Sequence, residues 1–158
     1  MHVDYRDPAL TIGGSGPLVA VVWKGEPTAE RVRAICTVSR RAFPKLAKGF
    51  AFVVFLEDTT STPDAESRRT LADLMIELAA GLRAVAYIVP GAGFAAAAKR
   101  AVITGLSLAA RPPYPIKVFP TVEQAERYLV PLLPATPIHG ELDQLVSELR
   151  RDGPAIAL

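Results

Sequence analysis

Glu57 and Asp58 stand side by side, and Thr59, Thr60, Ser61 and Thr62 follow directly, so two carboxylates and four hydroxyls fall within six residues. Paired carboxylates can do general acid-base work, but neighbours on an extended chain point opposite ways, which weakens Glu57 and Asp58 as a catalytic couple. The hydroxyls suit two roles. Thr62 with Pro63 behind it reads as a helix N-cap followed by a proline at the first helical position. A phosphate on Thr59, Thr60 or Ser61 would lie at the same helix start, where free amides and the helix dipole favour an anion and Glu57, Asp58 and Asp64 oppose it.

Other reactive side chains are scarce. The two histidines are His2, near the beginning of the chain, and His139, in a proline-rich stretch, and neither lies where an element would hold it as a base for a Ser or Cys nucleophile. The single cysteine, Cys36, permits no internal disulfide and falls on an apolar helical stripe, and the His/Cys clusters of a metal site are missing. No cofactor is expected. Gly91-Ala92-Gly93-Phe94-Ala95-Ala96 fits G-x-G-x-x-A between a strand and a helix. The acid that would hold a ribose is absent from the end of the next strand, Val118-Phe119-Pro120, so the motif reads as a tight turn. Gly13-Gly14-Ser15-Gly16 lacks the Lys-Ser/Thr of a phosphate loop and reads as a hairpin turn. Arg33, Arg40, Arg41, Lys45 and Lys48 share the arc of the first helix opposite its apolar stripe. They read as a solvated face or, more sharply, as a basic surface for an acidic protein partner. Without aromatic residues interleaved there, single-stranded nucleic acid is disfavoured.

The elements that must position these residues alternate. Ala9–Ile12 and Leu18–Trp23 are β-rich runs joined through Gly13–Pro17, the pattern of an antiparallel hairpin. Residues 28–48 put Val32, Ile35, Cys36, Phe43 and Leu46 on one helical stripe that Pro44 kinks or ends. Phe50–Leu56 is continuously apolar, as a strand covered on both faces must be. A second helix buries Leu71, Leu74, Met75, Leu78 and Leu82. A strand over 84–89 follows, and then an alanine-rich helix over 94–109 with Phe94, Ala98, Ala101, Val102, Gly105 and Leu108 inward and Ile103 outward among Lys99, Arg100 and Ser107. Ile116–Phe119 is a short last strand, and Thr121 with Gln124 has capping-box spacing before a helix that turns Val122, Ala125 and Leu129 inward. The order ββαβαβαβα implies an α/β fold: a mixed sheet whose parallel strands carry helices on both faces.

Residues 131–137 hold three prolines and divide this domain, 1–133, from a segment over 134–158. There Leu142, Leu145, Val146 and Leu149 recur at i, i+3, i+4 and i+7, an amphipathic helix too short to stand alone. It must dock on this domain, on a second copy as a homo-oligomer, or on a partner, and the outward Ile103 marks one place where it could.

Bulk properties bound the rest. At 158 residues, half of them hydrophobic and 22% charged, the chain suits one globular domain, and a net charge of +2 gives no whole-molecule pull on nucleic acid or anionic lipid. Apolar runs are broken too early to span a membrane, and the start has no apolar signal core, so a cytoplasmic setting is expected.

The element order resembles the STAS family of sulfate transporters and anti-sigma-factor antagonists. The likeness includes Gly25 after the second strand, Leu56-Glu57-Asp58-Thr59-Thr60 before a helix, and Val118-Phe119-Pro120-Thr121-Val122-Glu123-Gln124-Ala125 near the end. It covers roughly residues 9–133 and is similar in particular to the divergent STAS-like branch of unassigned function. The resemblance implies a non-enzymatic interaction module with a protein partner. It also implies a phosphoacceptor after an acid at the end of the central strand, here Asp58, Thr59, Thr60 and Ser61, which keep the acid and hydroxyls but lack the usual Ser-Gly step. A small-ligand or lipid-binding domain, favoured by a deep apolar cavity, and an enzyme using Glu57 and Asp58 are the alternatives.

Overall fold

The computed structural model describes residues 1–46, 49–110, 112–134 and 139–158, with the side chains of 43, 45 and 106–110 left aside. Six strands form one sheet in sequential order: β1 (His2–Arg6), β2 (Leu10–Ser15), β3 (Leu18–Trp23), β4 (Phe50–Leu56), β5 (Leu82–Ile88) and β6 (Ile116–Phe119). The first three are antiparallel neighbours, and β3 to β6 run parallel. Five helices cover the sheet: α1 (Ala29–Ala42), α2 (Ala65–Glu77), α3 (Phe94–Ala110), α4 (Val122–Leu129) and α5 (Glu141–Arg150). The mixed α/β architecture is the one expected from the sequence. Among the described residues, no helix is long and apolar enough to cross a membrane.

Alternation along each strand builds two cores. Leu10, Ile12, Val19, Val21, Trp23, Phe50 and Phe52 face α1 and α2, whereas Leu18, Ala20, Val22, Ala51, Val53 and Phe55 face α4 and α5. Cys36 is packed in the first core, where burial raises its thiol pKa. Pro44 ends α1, and residues 43–46 continue as a single 3₁₀ turn. Asp7, between β1 and β2, ties that corner to α1. Burial opposes its ionisation, but the guanidinium of Arg31 at 2.8 Å and the amides of Ala9 and Leu10 outweigh it and hold the carboxyl below its ordinary pKa.

Several expectations need correction. The opening unit is three strands, because His2–Arg6 pairs with β2; its polar alternation is that of an edge strand and lacks the apolar run by which the others are recognised. Gly13 and Gly14 lie in β2, and the turn is Gly16-Pro17, with Gly16 at φ +52°. A Cβ on Gly13 would come within 2.3 Å of the His2 carbonyl and 2.9 Å of Leu149 Cδ2. Glycine there lets β1 and α5 close on the strand together. Helix α2 is capped by Asp64, whose Oδ1 accepts the Ser67 amide at 2.7 Å, and Thr62 lies before the cap. Asp-Ala-Glu-Ser is a stronger start because the carboxylate brings charge to the helix dipole, and the Ser67 amide lowers the pKa of Asp64. Leu82 belongs to β5, since α2 ends at Glu77. Thr121 caps α4 as expected, accepting the Gln124 amide at 3.2 Å.

The largest correction concerns α3, whose two sides are exchanged. Phe94 is 91% exposed and Val102 61%, with Ala98, Ala101 and Gly105 also outward, while Lys99, Arg100 and Ile103 are half-buried; the Leu108 side chain lies outside the described residues. Ile103 is no dock for α5, which packs on β2, β3 and α4 with Leu142, Leu145 and Leu149 at 0% exposure and Val146 at 2%. Beyond α5, Ile156 exchanges two backbone hydrogen bonds with Arg6 at 3.0 Å each and so continues the edge of β1.

Candidate functional site

Parallel strands bring their carboxyl ends to one side of the sheet, where ligands commonly approach α/β folds. Here Trp23-Lys24 leaves β3 and Leu56-Glu57-Asp58 leaves β4 next to it, with Trp23 paired to Leu56. The Glu57 amide donates to the Trp23 carbonyl at 2.9 Å, and the Thr60 amide donates to the Glu57 carbonyl at 3.0 Å, closing a turn. That turn sets the hydroxyls. Thr60 is buried and its Oγ1 donates to the Trp23 carbonyl at 2.9 Å, while Thr59 Oγ1 donates to the Lys24 carbonyl. Both threonines therefore stitch the loop to β3. Ser61 is exposed, and among the described residues its hydroxyl has no protein partner.

The end of α5 adds the remaining charges. Arg150 Nε lies 2.7 Å from Glu57 Oε1, and its guanidinium sits over the Phe55 ring at 4.8 Å. Lys24 Nζ reaches Asp152 Oδ1 at 3.2 Å and the Arg151 carbonyl at 3.4 Å. An open cleft of about 450 Å³ lies between these groups, bordered by Lys24, Glu57, Asp58, Thr59, Arg150 and Asp152. Glu57 is held in an ion pair with Arg150, and Asp58 is exposed at the border of the same cleft. Chemically the cleft offers compensated charge on a stitched loop.

On the other side of the loop, α3 closes the ring. Lys99 Nζ donates to the carbonyls of Asp58 and Thr60 at 3.4 Å each, and Arg100 donates to the carbonyls of Val89 and Gly91 at 2.9 and 3.0 Å. The Gly91 turn, at φ +105°, thus presents its carbonyl to the helix that follows it. Nothing approaches a Cβ on Gly93 within 4 Å, so the second glycine serves no close packing.

The basic arc of α1 is divided. Arg40 is bound bidentately by Glu77 of α2, with Nε at 3.0 Å from both carboxylate oxygens, and this lowers the pKa of Glu77. Arg41 turns toward the start of β1, and Arg33 is exposed. The Lys45 side chain, Lys48 and connector residues 135–138 lie outside the described residues. Among the described residues, no cluster of three His, Cys, Asp or Glu side chains could hold a metal ion.

Sequence reasoning found the loop and missed its partners. Lys24 could have been found from its place at a strand end. Arg150 and Asp152 lie more than ninety positions from the loop and carry no local signal.

No family model matches the sequence, and no curated protein matches it. Among solved structures, the chain is similar to the crystal structure of an uncharacterized protein of the DUF3478 family with a SpoIIAA-like fold, from Shewanella loihica PV-4. The two are 19% identical, with a TM-score of 0.53 over 77% of this chain and 92% of that one. The fold is SpoIIAA-like, and hence STAS-like, as the resemblance implied.

Proposed function

We propose that the protein is a non-enzymatic regulatory or scaffolding module that binds another protein through the β4–α2 loop and the outward side of α3. The observation that carries this reading is the exposure of Phe94 and Val102 on a helix whose own cations are turned inward, Lys99 onto the loop and Arg100 onto the carbonyls of Val89 and Gly91. Five α3 positions, Phe94, Ala98, Ala101, Val102 and Gly105, leave an uncharged apolar surface, and Asp58 is exposed on the loop whose carbonyl Lys99 of α3 holds. A partner that fits presents an apolar segment flanked by a basic group. Ser61 and Thr62 are the exposed hydroxyls of this loop that a modifying enzyme can reach directly; Thr59 and Thr60 would first have to release backbone carbonyls. The SpoIIAA-like fold supports the reading as a precedent only, because folds host many functions.

The test is affinity capture followed by mass spectrometry, comparing wild type with Phe94→Ser, Val102→Ser and Asp58→Lys. A protein retained by wild type and lost from all three variants is the expected result. Retention of the same protein by all three would sink the reading, and self-association of wild type that the variants abolish would reassign the surface to a second copy of this chain.

A further inference from the structure

Arg6, at the end of β1, is a buried cation without an anion. It is 9% exposed, its Nε is buried with no partner, and among the described residues no carboxylate pairs with its guanidinium. Nη2 donates to the Glu148 carbonyl near the end of α5 at 3.3 Å. A buried charge is costly, and the negative end of a helix dipole offsets it only in part.

What covers Arg6 is the segment that follows α5. Arg6 and Ile156 exchange backbone hydrogen bonds of 3.0 Å each, so this segment joins the β1 edge at one antiparallel bridge. Gly153 lies against the guanidinium, where a Cβ would overlap Nη1 of Arg6. The cover is light. Of residues 152–158, Ile156 is half-buried and the others are exposed, and the second tether is the fully exposed carboxylate of Asp152 on Lys24. The rest of the edge is ill suited to a copy of itself. A bulge interrupts β1 between Val3 and Tyr5, and two β1 strands centred on each other would set Asp4 against Asp4.

We propose that this edge binds an extended segment of a partner protein in place of residues 153–158, with an aliphatic side chain where Ile156 lies and a carboxylate, from the position of Gly153, on Arg6. Strand addition draws affinity from main-chain hydrogen bonds and specificity from the side chains beside them. The segment already there shows the backbone geometry that the edge accepts, and it brings no acid to the guanidinium. An acidic side chain in place of Gly153 requires only the flexible end of Arg6 to shift, and it then forms a charge-assisted pair. Residues 153–158 thus act as a cis occupant that a better-matched strand displaces. β1 and β6 are opposite borders of the sheet and α3 packs on β6, so this surface is separate from the one formed by α3.

The experiment is an amide NMR titration of the full chain with three end-capped peptides: Asp-Gly-Pro-Ala-Ile-Ala-Leu, which is the cis sequence, and its versions with Glu or Lys in place of Gly. Ile156→Pro opens the edge, because it removes the N–H bonded to the Arg6 carbonyl. In that variant the Glu peptide should give saturable shifts at the Arg6 amide and bind about tenfold tighter than the Gly peptide, equivalent to one charge-assisted contact. The Lys peptide should not bind, and wild type should bind the Glu peptide more weakly than Ile156→Pro does. Arg6→Met, combined with Ile156→Pro, should abolish the preference for Glu over Gly. Absence of saturable shifts at Arg6 in Ile156→Pro, equal binding of the Glu and Lys peptides, or a Glu preference that survives Arg6→Met would each overturn the proposal. So would self-association of Ile156→Pro that the Glu peptide does not reverse, which would make a second copy of this chain the occupant. If Arg6→Met disturbs the fold, the ranking of the three peptides on Ile156→Pro decides alone.

Discussion

Helices α3 and α5 are both amphipathic, yet one wears its apolar side outward and the other buries it completely. In α5, Leu142, Leu145, Val146 and Leu149 form a single stripe, and the charged residues can all stay at the solvent side or the helix end. Nothing competes with burial. In α3 the cations fall on the side that can reach the carbonyls of Val89, Gly91, Asp58 and Thr60. Hydrogen bonds from a charged donor are each worth roughly 1.5–3 kcal/mol, and leaving one Phe exposed forfeits a similar amount, about 1.5–3 kcal/mol. Several such bonds therefore compete evenly with two apolar side chains, and the carbonyls at the strand ends decide the rotation of α3. A hydrophobic stripe settles a helix's orientation only where no polar anchor contests it.

The sharpest way to break this comparison is to attack α5. Leu145→Ala should cost about 2–5 kcal/mol, read as a lower midpoint in urea unfolding, because a fully buried leucine leaves a cavity in the second core. Deleting residues 134–158 should abolish cooperative unfolding. It uncovers Ala20 and Val22 and removes four buried apolar side chains, on the order of 10 kcal/mol and comparable to the whole stability of a domain. Retention of wild-type stability by either variant would mean that α5 is an appendage, and its contrast with α3 would vanish.

Arg100→Met tests the anchor on α3. It preserves the helix and removes both carbonyl contacts, so it should cost about 1–3 kcal/mol and raise amide hydrogen exchange along α3 and the Gly91 turn while leaving α5 protected. Equal loss of protection in α5 would show that the two helices are coupled through the sheet.

The sequence made α5 legible and α3 misleading for the same reason. Periodicity reports which residues share a helix face, and it says nothing of what the sheet offers to the opposite face. The parallel strands were readable because Leu18–Trp23 and Phe50–Leu56 are continuous apolar runs, whereas β1, polar and at the edge, was not. The Thr59–Thr60 loop was readable from its residue types. Its closure by Lys24, Lys99 and Arg150 was not, because those contacts join residues from 35 to 93 positions apart. Asp64 displaced Thr62 as the cap of α2 because Pro63 holds Thr62 extended and outside the helix, while Asp-Ala-Glu-Ser supplies its own acceptor.

The smallest expected effect bears most directly on the comparison. Phe94→Ser and Val102→Ser should each change stability by no more than about 0.5 kcal/mol, the ordinary range for exposed positions, in urea unfolding of the isolated protein. A loss of about 2 kcal/mol or more at both sites would place these side chains in a core in solution. Helix α3 would then present Lys99 and Arg100 outward, the apolar stripe alone would have been the right guide, and the partner surface would have to be sought elsewhere. Near-neutral values at both sites, together with loss of a captured protein, would instead show that the exposed side of α3 is kept apolar for binding and not for folding.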